Sequence, residues 1–477
     1  MHPTRSIGVL PRSLRTAAAL WVLAATACTP PPEPAPRPNV LLVSIDSLRA
    51  DHVHAYGYER ETTPTIDALA SEGARFETVL SPTSWTLPAH MTMLTAMPPE
   101  QHGVIKSKRA LRPRALTLAE VLAASGYATA GFVSGAYLQT AHGYAQGFDV
   151  YDTSVLRGKE EEARADITSP EIVRLAQAWL QRWSEEKPRP PFFLFVHLYD
   201  VHFDYVPPPP YDTMFDLRAP EAPGGSKAYD QILPGMNRTD LDRILALYDG
   251  EIRWTDTHLG HLIDALRALH VLDDTIVVVT SDHGEEFLDH DWRGHSNTLY
   301  DEALKVPLVM RYPPKIPAGR VVEEQVRLVD LAPTILGLAG IRAPPKFGSR
   351  SSGPHRERDL SPWITSGAPR EPFPQLLAFG ELRRSRRKGL VSVRAPDAKY
   401  IESVAHPDRT QLFRLSSDPA EVHDVSDAAE GAQTASALAE ERARWLESLP
   451  GREHGLAKRV DLKPKHVDRL RALGYVE

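Results

Sequence analysis

Two alternating patterns of apolar positions run along this chain. Continuous apolar stretches at Val40–Ile45, Tyr127–Val133, Phe192–Val196, Thr275–Thr280 and Val306–Met310 have the form of strands buried on both faces. A shorter apolar approach, Phe76–Leu80, reads the same way. Between them lie stretches with helical spacing. Pro64–Glu72 has a proline in its first turn and Gly73 at its end. Thr117 and Glu120 form a capping box that opens a helix ending at Gly126. Glu171–Trp183 places Ile172, Leu175, Ala176, Trp179 and Leu180 on one side, and Thr239–His270 repeats that pattern over a longer span. Met91–Met97 and Asp330–Leu338 complete the set. This alternation predicts an α/β fold: a large, mostly parallel sheet flanked by helices on both faces.

The texture changes beyond residue 342. Residues 343–375 are rich in Pro, Ser, Gly and Arg and read as loop. Short strand-like runs follow at Leu376–Phe379, Leu390–Val393, Tyr400–Ile401 and Gln411–Leu415, then a surface helix over 430–450. Residues 343–477 are therefore expected to form a smaller α+β subdomain with a short antiparallel sheet and terminal helices. Within it, Arg383–Lys388 is a basic cluster that reads first as a solvated hairpin edge.

The N-terminus has a different character. Arg5, Arg12 and Arg15 precede the apolar run Ala17–Ala27, which is short for a membrane span. Cys28, the only cysteine among 477 residues, follows small residues, as in a bacterial lipoprotein signal. Plain cleavage and an uncleaved anchor are the alternatives. Pro-rich residues 29–38 read as an extended tether. An exported protein of the bacterial cell envelope, lipid-anchored at Cys28, is expected. A lone cysteine excludes an internal disulfide and a CxxC redox centre. The net charge of −7 is too mild to argue for nucleic acid.

Chemistry concentrates at strand ends. Asp46 follows the first buried strand, and Asp282 and His283 follow the strand Thr275–Thr280. In one parallel sheet all three open on the same edge, where α/β proteins place ligands. Thr86 sits at the mouth of a helix, where first-turn N–H groups favour negative charge. A simple N-cap is the plainer explanation of that threonine. Together the two carboxylates, the imidazole and the hydroxyl suit a divalent cation. Manganese or zinc fits the mixture of donors, whereas calcium prefers oxygen throughout.

Five segments, in order, resemble the sulfatase family of the alkaline phosphatase superfamily. They are Ile45–Asp51, Thr86–His90 with Leu94, Thr95 and His102, Val196–His202, Thr280–Glu285, and Gly294–His295 with Val306. Leu412–Leu415 with Asp418–Glu421 resembles the family's closing segment. The resemblance covers roughly residues 39–425 and implies an alkaline phosphatase-like catalytic domain over 39–342. It implies Asp46, Asp282 and His283 as metal ligands and Thr86 at the nucleophile position. It also implies that His197 and His295 contact the transferred group or protonate the leaving oxygen. The chain departs from the family pattern in several places. Sulfatases make formylglycine from a Cys or Ser followed at fixed offsets by Pro/Ala and Arg. Here Thr86 holds the first slot and His90 the last. Ser47 stands where a further carboxylate is usual, and Gly131–Ser134 replaces a sulfate-contacting segment.

The departures shift the expected reaction. A formylglycine hydrate expels sulfate by reverting to the aldehyde, and a sulfated threonine has no such route. A phosphorylated threonine is released by in-line displacement at phosphorus. The expectation is a metal-dependent hydrolase or transferase that cleaves a phosphate (di)ester or phosphonate through a covalent Thr86 intermediate. Its substrate is a small molecule or a lipid or glycan ester. A sulfatase using unmodified Thr86 and an inactive tethered binding protein are the alternatives.

Overall fold

The apolar runs form an eight-stranded sheet in the computed structural model, which describes residues 37–156, 167–221, 228–349, 351–367, 371–383, 389–450 and 456–472. The signal-like segment, Cys28, most of the Pro-rich tether and residues 384–388 of the basic cluster lie outside the described residues. The strands are β1 (Asn39–Ile45), β2 (Ala74–Phe76), β3 (Ala128–Val133), β4 (Val150–Asp152), β5 (Phe192–Leu198), β6 (Thr275–Ser281), β7 (Leu308–Arg311) and β8 (Arg320–Val322). Their spatial order is β8-β2-β7-β6-β1-β5-β3-β4. Only β7 runs against its neighbours.

Strand alternation divides the side chains between two cores. Val40, Leu42, Phe193, Phe195, Ile276 and Val278 face one side. There they meet α2 (Thr86–Thr95), α3 (Leu118–Ala124) and α6 (Leu331–Leu338). Leu41, Val43, Leu194, Val196, Val277 and Val279 face the other side. They pack on α1 (Pro64–Ser71), α4 (Ser169–Glu185) and α5 (Arg238–Ala268). Near-continuous apolar strands are what a sheet covered on both faces requires.

Three details differ from the sequence expectation. The run Val306–Met310 breaks at Pro307, which has no N–H to give a ladder. Lys305–Val306 joins a separate small sheet with Val79–Leu80 and Val326–Arg327. Helix α2 begins at Thr86, ahead of the expected Met91. Pro88 falls in its first turn, where a missing N–H costs nothing. The edge strand β4 was too short for a periodic signal.

In the C-terminal part, β9 (Ala378–Leu382), β10 (Leu390–Arg394), β11 (Ala398–Ser403) and β12 (Thr410–Arg414) make an antiparallel meander. Helix α7 (Ala429–Ser448) covers it, with Trp445 stacked on Phe379 at 4.1 Å between ring centroids. The chain then returns to its N-terminal part, where Ala457–Arg459 pairs antiparallel with Arg109–Leu111. No described helix is long and apolar enough to cross a membrane.

Candidate active site and metal centre

The parallel register of β1 and β6 sets Ile45 opposite Ser281. The residues that follow, Asp46 and Asp282, therefore emerge side by side, and both are fully buried. His283 continues from Asp282. Asp46, Asp282 and His283 each offer one ligand atom, and these atoms lie within 4.8 Å of one another. His283 Nε2 is 3.3 Å from Asp282 Oδ2 and 3.7 Å from Asp46 Oδ1. The other ring nitrogen, Nδ1, is 2.8 Å from the Gly284 carbonyl, which turns Nε2 towards the carboxylates. Gly284 is required here because a Cβ would lie 1.9 Å from the Glu302 carbonyl oxygen.

Thr86 completes the group. Its Oγ1 is 3.3 Å from His283 Nε2. It is the first residue of α2, and the N-cap is Trp85, which makes no side-chain cap. The hydroxyl is therefore not spent on capping its own helix. One turn on, His90 faces the same cluster. Its Nε2 meets Ser44 Oγ at 2.9 Å, and its Nδ1 lies 3.1 Å from the Thr86 carbonyl and 3.4 Å from Asp282 Oδ2. Sequence reasoning noted His90 as a departure and gave it no role. The available signal was its i+4 spacing from Thr86.

The two other histidines differ in placement. His197, the penultimate residue of β5, sets Nε2 3.2 Å from Asp46 Oδ2. A Cβ on Gly135 would lie 2.9 Å from the His197 ring, so that glycine makes room for it. His295 lies beside His283, with Nδ1 3.1 Å from Glu285 Oε1 and its ring centroid 4.4 Å from that of His283. Ser47 bridges both aspartates: its N–H points to Asp282 Oδ1 at 3.3 Å and its hydroxyl to Asp46 Oδ1 at 3.1 Å. It does so with φ of 57°, a strained conformation for serine. Asp200 is occupied elsewhere. It accepts the N–H groups of Thr168 and Ser169 at the start of α4 and the Trp254 indole N–H.

Electrostatics favours a cation in this cluster. Burial opposes charge at Asp46, but the His197 hydrogen bond and the surrounding imidazoles hold its pKa well below the usual range. Burial and then the Asp46 charge push Asp282 up to about 6. Burial, reinforced by His197, lowers His90 to about 3, so that ring is neutral. Burial also lowers His202 to about 4. Asp282 Oδ2 is buried with no hydrogen-bond donor of its own among the described residues. An unsatisfied carboxylate oxygen facing imidazole Nε2 and a second carboxylate fits a divalent cation, for which Asp46, Asp282 and His283 are the candidate ligands.

A buried carboxylate–imidazole cluster at the carboxyl edge of a mostly parallel sheet, with a hydroxyl at a helix mouth, suits metal-assisted ester hydrolysis. A sulfatase family model matches residues 38–341, and a model of the N-sulphoglucosamine sulphohydrolase C-terminal region matches 289–447. The chain belongs to the sulfatase family. It is 27% identical over 334 residues to an ulvan-active sulfatase of Formosa agariphila, covering 65% of this chain and 63% of that protein. It is 25% identical to human iduronate 2-sulfatase, covering 79% of this chain and 84% of that protein. Among solved structures, phosphonate monoester hydrolase of Agrobacterium radiobacter shares the fold. Its TM-score is 0.69 at 22% identity, over 86% of this chain and 95% of that one. A structure solved in complex with its substrate D-glucosamine-2-N,6-O-disulfate gives 0.71 at 19% identity, over 88% and 100%.

Proposed function

We propose that this enzyme hydrolyses a phosphate diester or phosphonate ester through a covalent intermediate on Thr86. The observation that carries the reading is the position of the Thr86 hydroxyl, free of capping and 3.3 Å from His283 Nε2. A threonine there cannot be oxidised to formylglycine. Its sulfated form has no elimination route, whereas its phosphorylated form is open to displacement by water.

A divalent cation held by Asp46, Asp282 and His283, for which manganese or zinc suits the donors, would supply positive charge that favours an ionised hydroxyl and offsets charge developing on the transferred group. The residues do the rest. Thr86 loses its proton to solvent, its Oγ1 forms the bond to phosphorus, and the bond to the leaving oxygen breaks. His295, oriented through Nδ1 by Glu285, gives a proton to that oxygen and takes one back from the water that later attacks phosphorus. As that water bonds to phosphorus the Oγ1–phosphorus bond breaks, the Thr86 oxygen takes a proton back from solvent, and product and free Thr86 result. His197 acts as a positioning residue through Asp46. Ser47 holds Asp282 through its N–H, and His90 is fixed between Ser44 and the Thr86 carbonyl.

The test is turnover by the full chain, reloaded with manganese or zinc, of an aryl phosphodiester, an aryl phosphonate, an aryl phosphate monoester and an aryl sulfate. Diester or phosphonate turnover that disappears in Thr86→Ala supports the reading; an unchanged rate in that variant sinks it. Dominant sulfate turnover would favour a second reading, a sulfatase using unmodified Thr86, for which the names of its relatives speak. Tight metal binding without turnover of any ester would leave a binding protein. We also propose that Cys28 anchors the enzyme at the bacterial envelope. Cys28→Ser should release it from the membrane fraction and abolish labelling by a fatty-acid analogue.

A further inference from the structure

One imidazole joins the strand that leads to Asp46 with the helix that carries Thr86. Ser44 shares its face of β1 with Val40 and Leu42, the face on which α2 packs. β1 runs between β5 and β6, with Ser44 opposite His197 on one side and Thr280 on the other. The Ser44 hydroxyl meets His90 Nε2 at 2.9 Å and has no other partner among the described residues. The second ring nitrogen, Nδ1, lies 3.1 Å from the Thr86 carbonyl oxygen, which can only accept. Burial keeps the ring neutral, so it carries a single ring N–H. That proton belongs on Nδ1, and Nε2 accepts from Ser44. Both residues are fully buried, so water does not replace either bond. The first turn of α2 needs such a tie, because Trp85 at the N-cap makes no side-chain cap. Tyr144 holds the next carbonyl, that of Leu87, from a loop. The Ser44–His90 link holds the turn from the strand that ends beside Asp46.

We infer that Ser44 is a positioning residue for the nucleophile: through His90 it fixes the Thr86 turn relative to Asp46. The opposite tautomer would set the Nδ1 lone pair against the Thr86 carbonyl oxygen and against Asp282 Oδ2, 3.4 Å away. Both carry negative charge, so the proton stays on Nδ1, and the Ser44 hydroxyl satisfies the nitrogen left without one. The 3.3 Å between Thr86 Oγ1 and His283 Nε2 then depends on Ser44, although Ser44 hydrogen-bonds to neither. Displacing a reacting atom by about 1 Å costs up to about 10²-fold in rate. The inference rests on Thr86 as the nucleophile and holds for either ester.

The test joins kinetics to a readout that needs no turnover. The full chain, loaded with manganese, is assayed on whichever of bis-p-nitrophenyl phosphate and p-nitrophenyl sulfate it turns over. Ser44→Ala should lower kcat about tenfold, while KM and the calorimetric affinity for manganese stay within about twofold. Ser44→Thr, which keeps the hydroxyl, should recover most of that loss. Ser44→Ala combined with His90→Gln should be no slower than His90→Gln alone, because the serine acts through the ring. Nitrogen NMR of isotopically labelled histidine gives the second readout, with the His90 signals assigned by their loss in His90→Gln. They should place the proton on Nδ1 in the wild type, and the Nε2 signal should move in Ser44→Ala as its donor is lost. An unchanged kcat in Ser44→Ala, additive losses in the double variant, or a manganese affinity that falls with kcat would each overturn the inference. So would a wild-type proton on Nε2, or an Nε2 signal that Ser44→Ala leaves in place. Turnover of neither ester by the wild type would overturn the proposed reaction, and the nitrogen spectra would then decide the inference by themselves.

Discussion

Among the buried clusters of ionisable groups in the described residues, two are composed on opposite terms. One joins the catalytic part to the C-terminal sheet. Lys399, with no exposed surface, reaches Asp301 at 2.8 Å and Glu421 at 2.9 Å. Arg394 meets the other oxygen of Asp301 at 2.9 Å and also bonds Gln325. Two acids face two strong bases, and the protein supplies its own countercharge. The other cluster, at the ends of β1 and β6, sets Asp46 and Asp282 among imidazoles, with no Lys or Arg in contact among the described residues. The first arrangement fastens the fold. The second lacks a positive charge that the chain does not provide, and a cluster incomplete in that way is built for a ligand.

That contrast can be broken in order of expected effect. Thr86→Ala should lower kcat by at least about 10³-fold while leaving the melting temperature within a degree or two of wild type. A loss of folding in that variant would mean that Thr86 belongs to the structural class instead. Lys399→Met should behave in the reverse sense. Leaving Asp301 and Glu421 without their shared base should cost about 3–5 kcal/mol, read by chemical denaturation, with little change in kcat for the protein that remains folded. Asp282→Asn should abolish metal binding measured by calorimetry and yet raise the stability of the metal-free protein by about 1–3 kcal/mol, because it removes one of two adjacent buried negative charges. A destabilised metal-free D282N would refute the distinction between the clusters.

The smallest expected effect concerns His290. Burial opposes its charge, but the Glu302 carboxylate and the Glu421 carbonyl raise its pKa to about 9. The folded value lies above the unfolded one, so its contribution is complete below about pH 6.5 and is lost as pH rises through about 9. Melting temperatures between pH 6 and 10 should fall across that window, and His290→Gln should flatten the fall.

The sequence announced the sheet more clearly than the site. Runs such as Thr275–Ser281 are apolar throughout because both faces are covered, so their ends, and with them Asp46 and Asp282, could be placed from pattern alone. Register then did what pattern could not. Only the pairing of Ile45 with Ser281 brings the two carboxylates together. Thr86 was ambiguous because capping and catalysis use the same residue type at the same place. The contacts of His90 and the path of His197 onto Asp46 depend on helix phase and on the space left by Gly135. The pairing of Ala457–Arg459 with Arg109–Leu111 joins segments with no periodic signal between them.

That last pairing also governs when the enzyme becomes complete. The strand is held by Arg112 N–H to the Leu456 carbonyl at 2.7 Å and by Val460 N–H to the Lys108 carbonyl at 3.1 Å. Further along, His466 reaches the Ala136 carbonyl at 3.1 Å. During synthesis these partners leave the ribosome several hundred residues after the segment they secure. The sheet can form and Asp46 and Asp282 can meet while Arg109–Leu111 still lacks its partner. A nascent chain of this protein therefore brings its two buried carboxylates together before its last strand exists to fasten that segment.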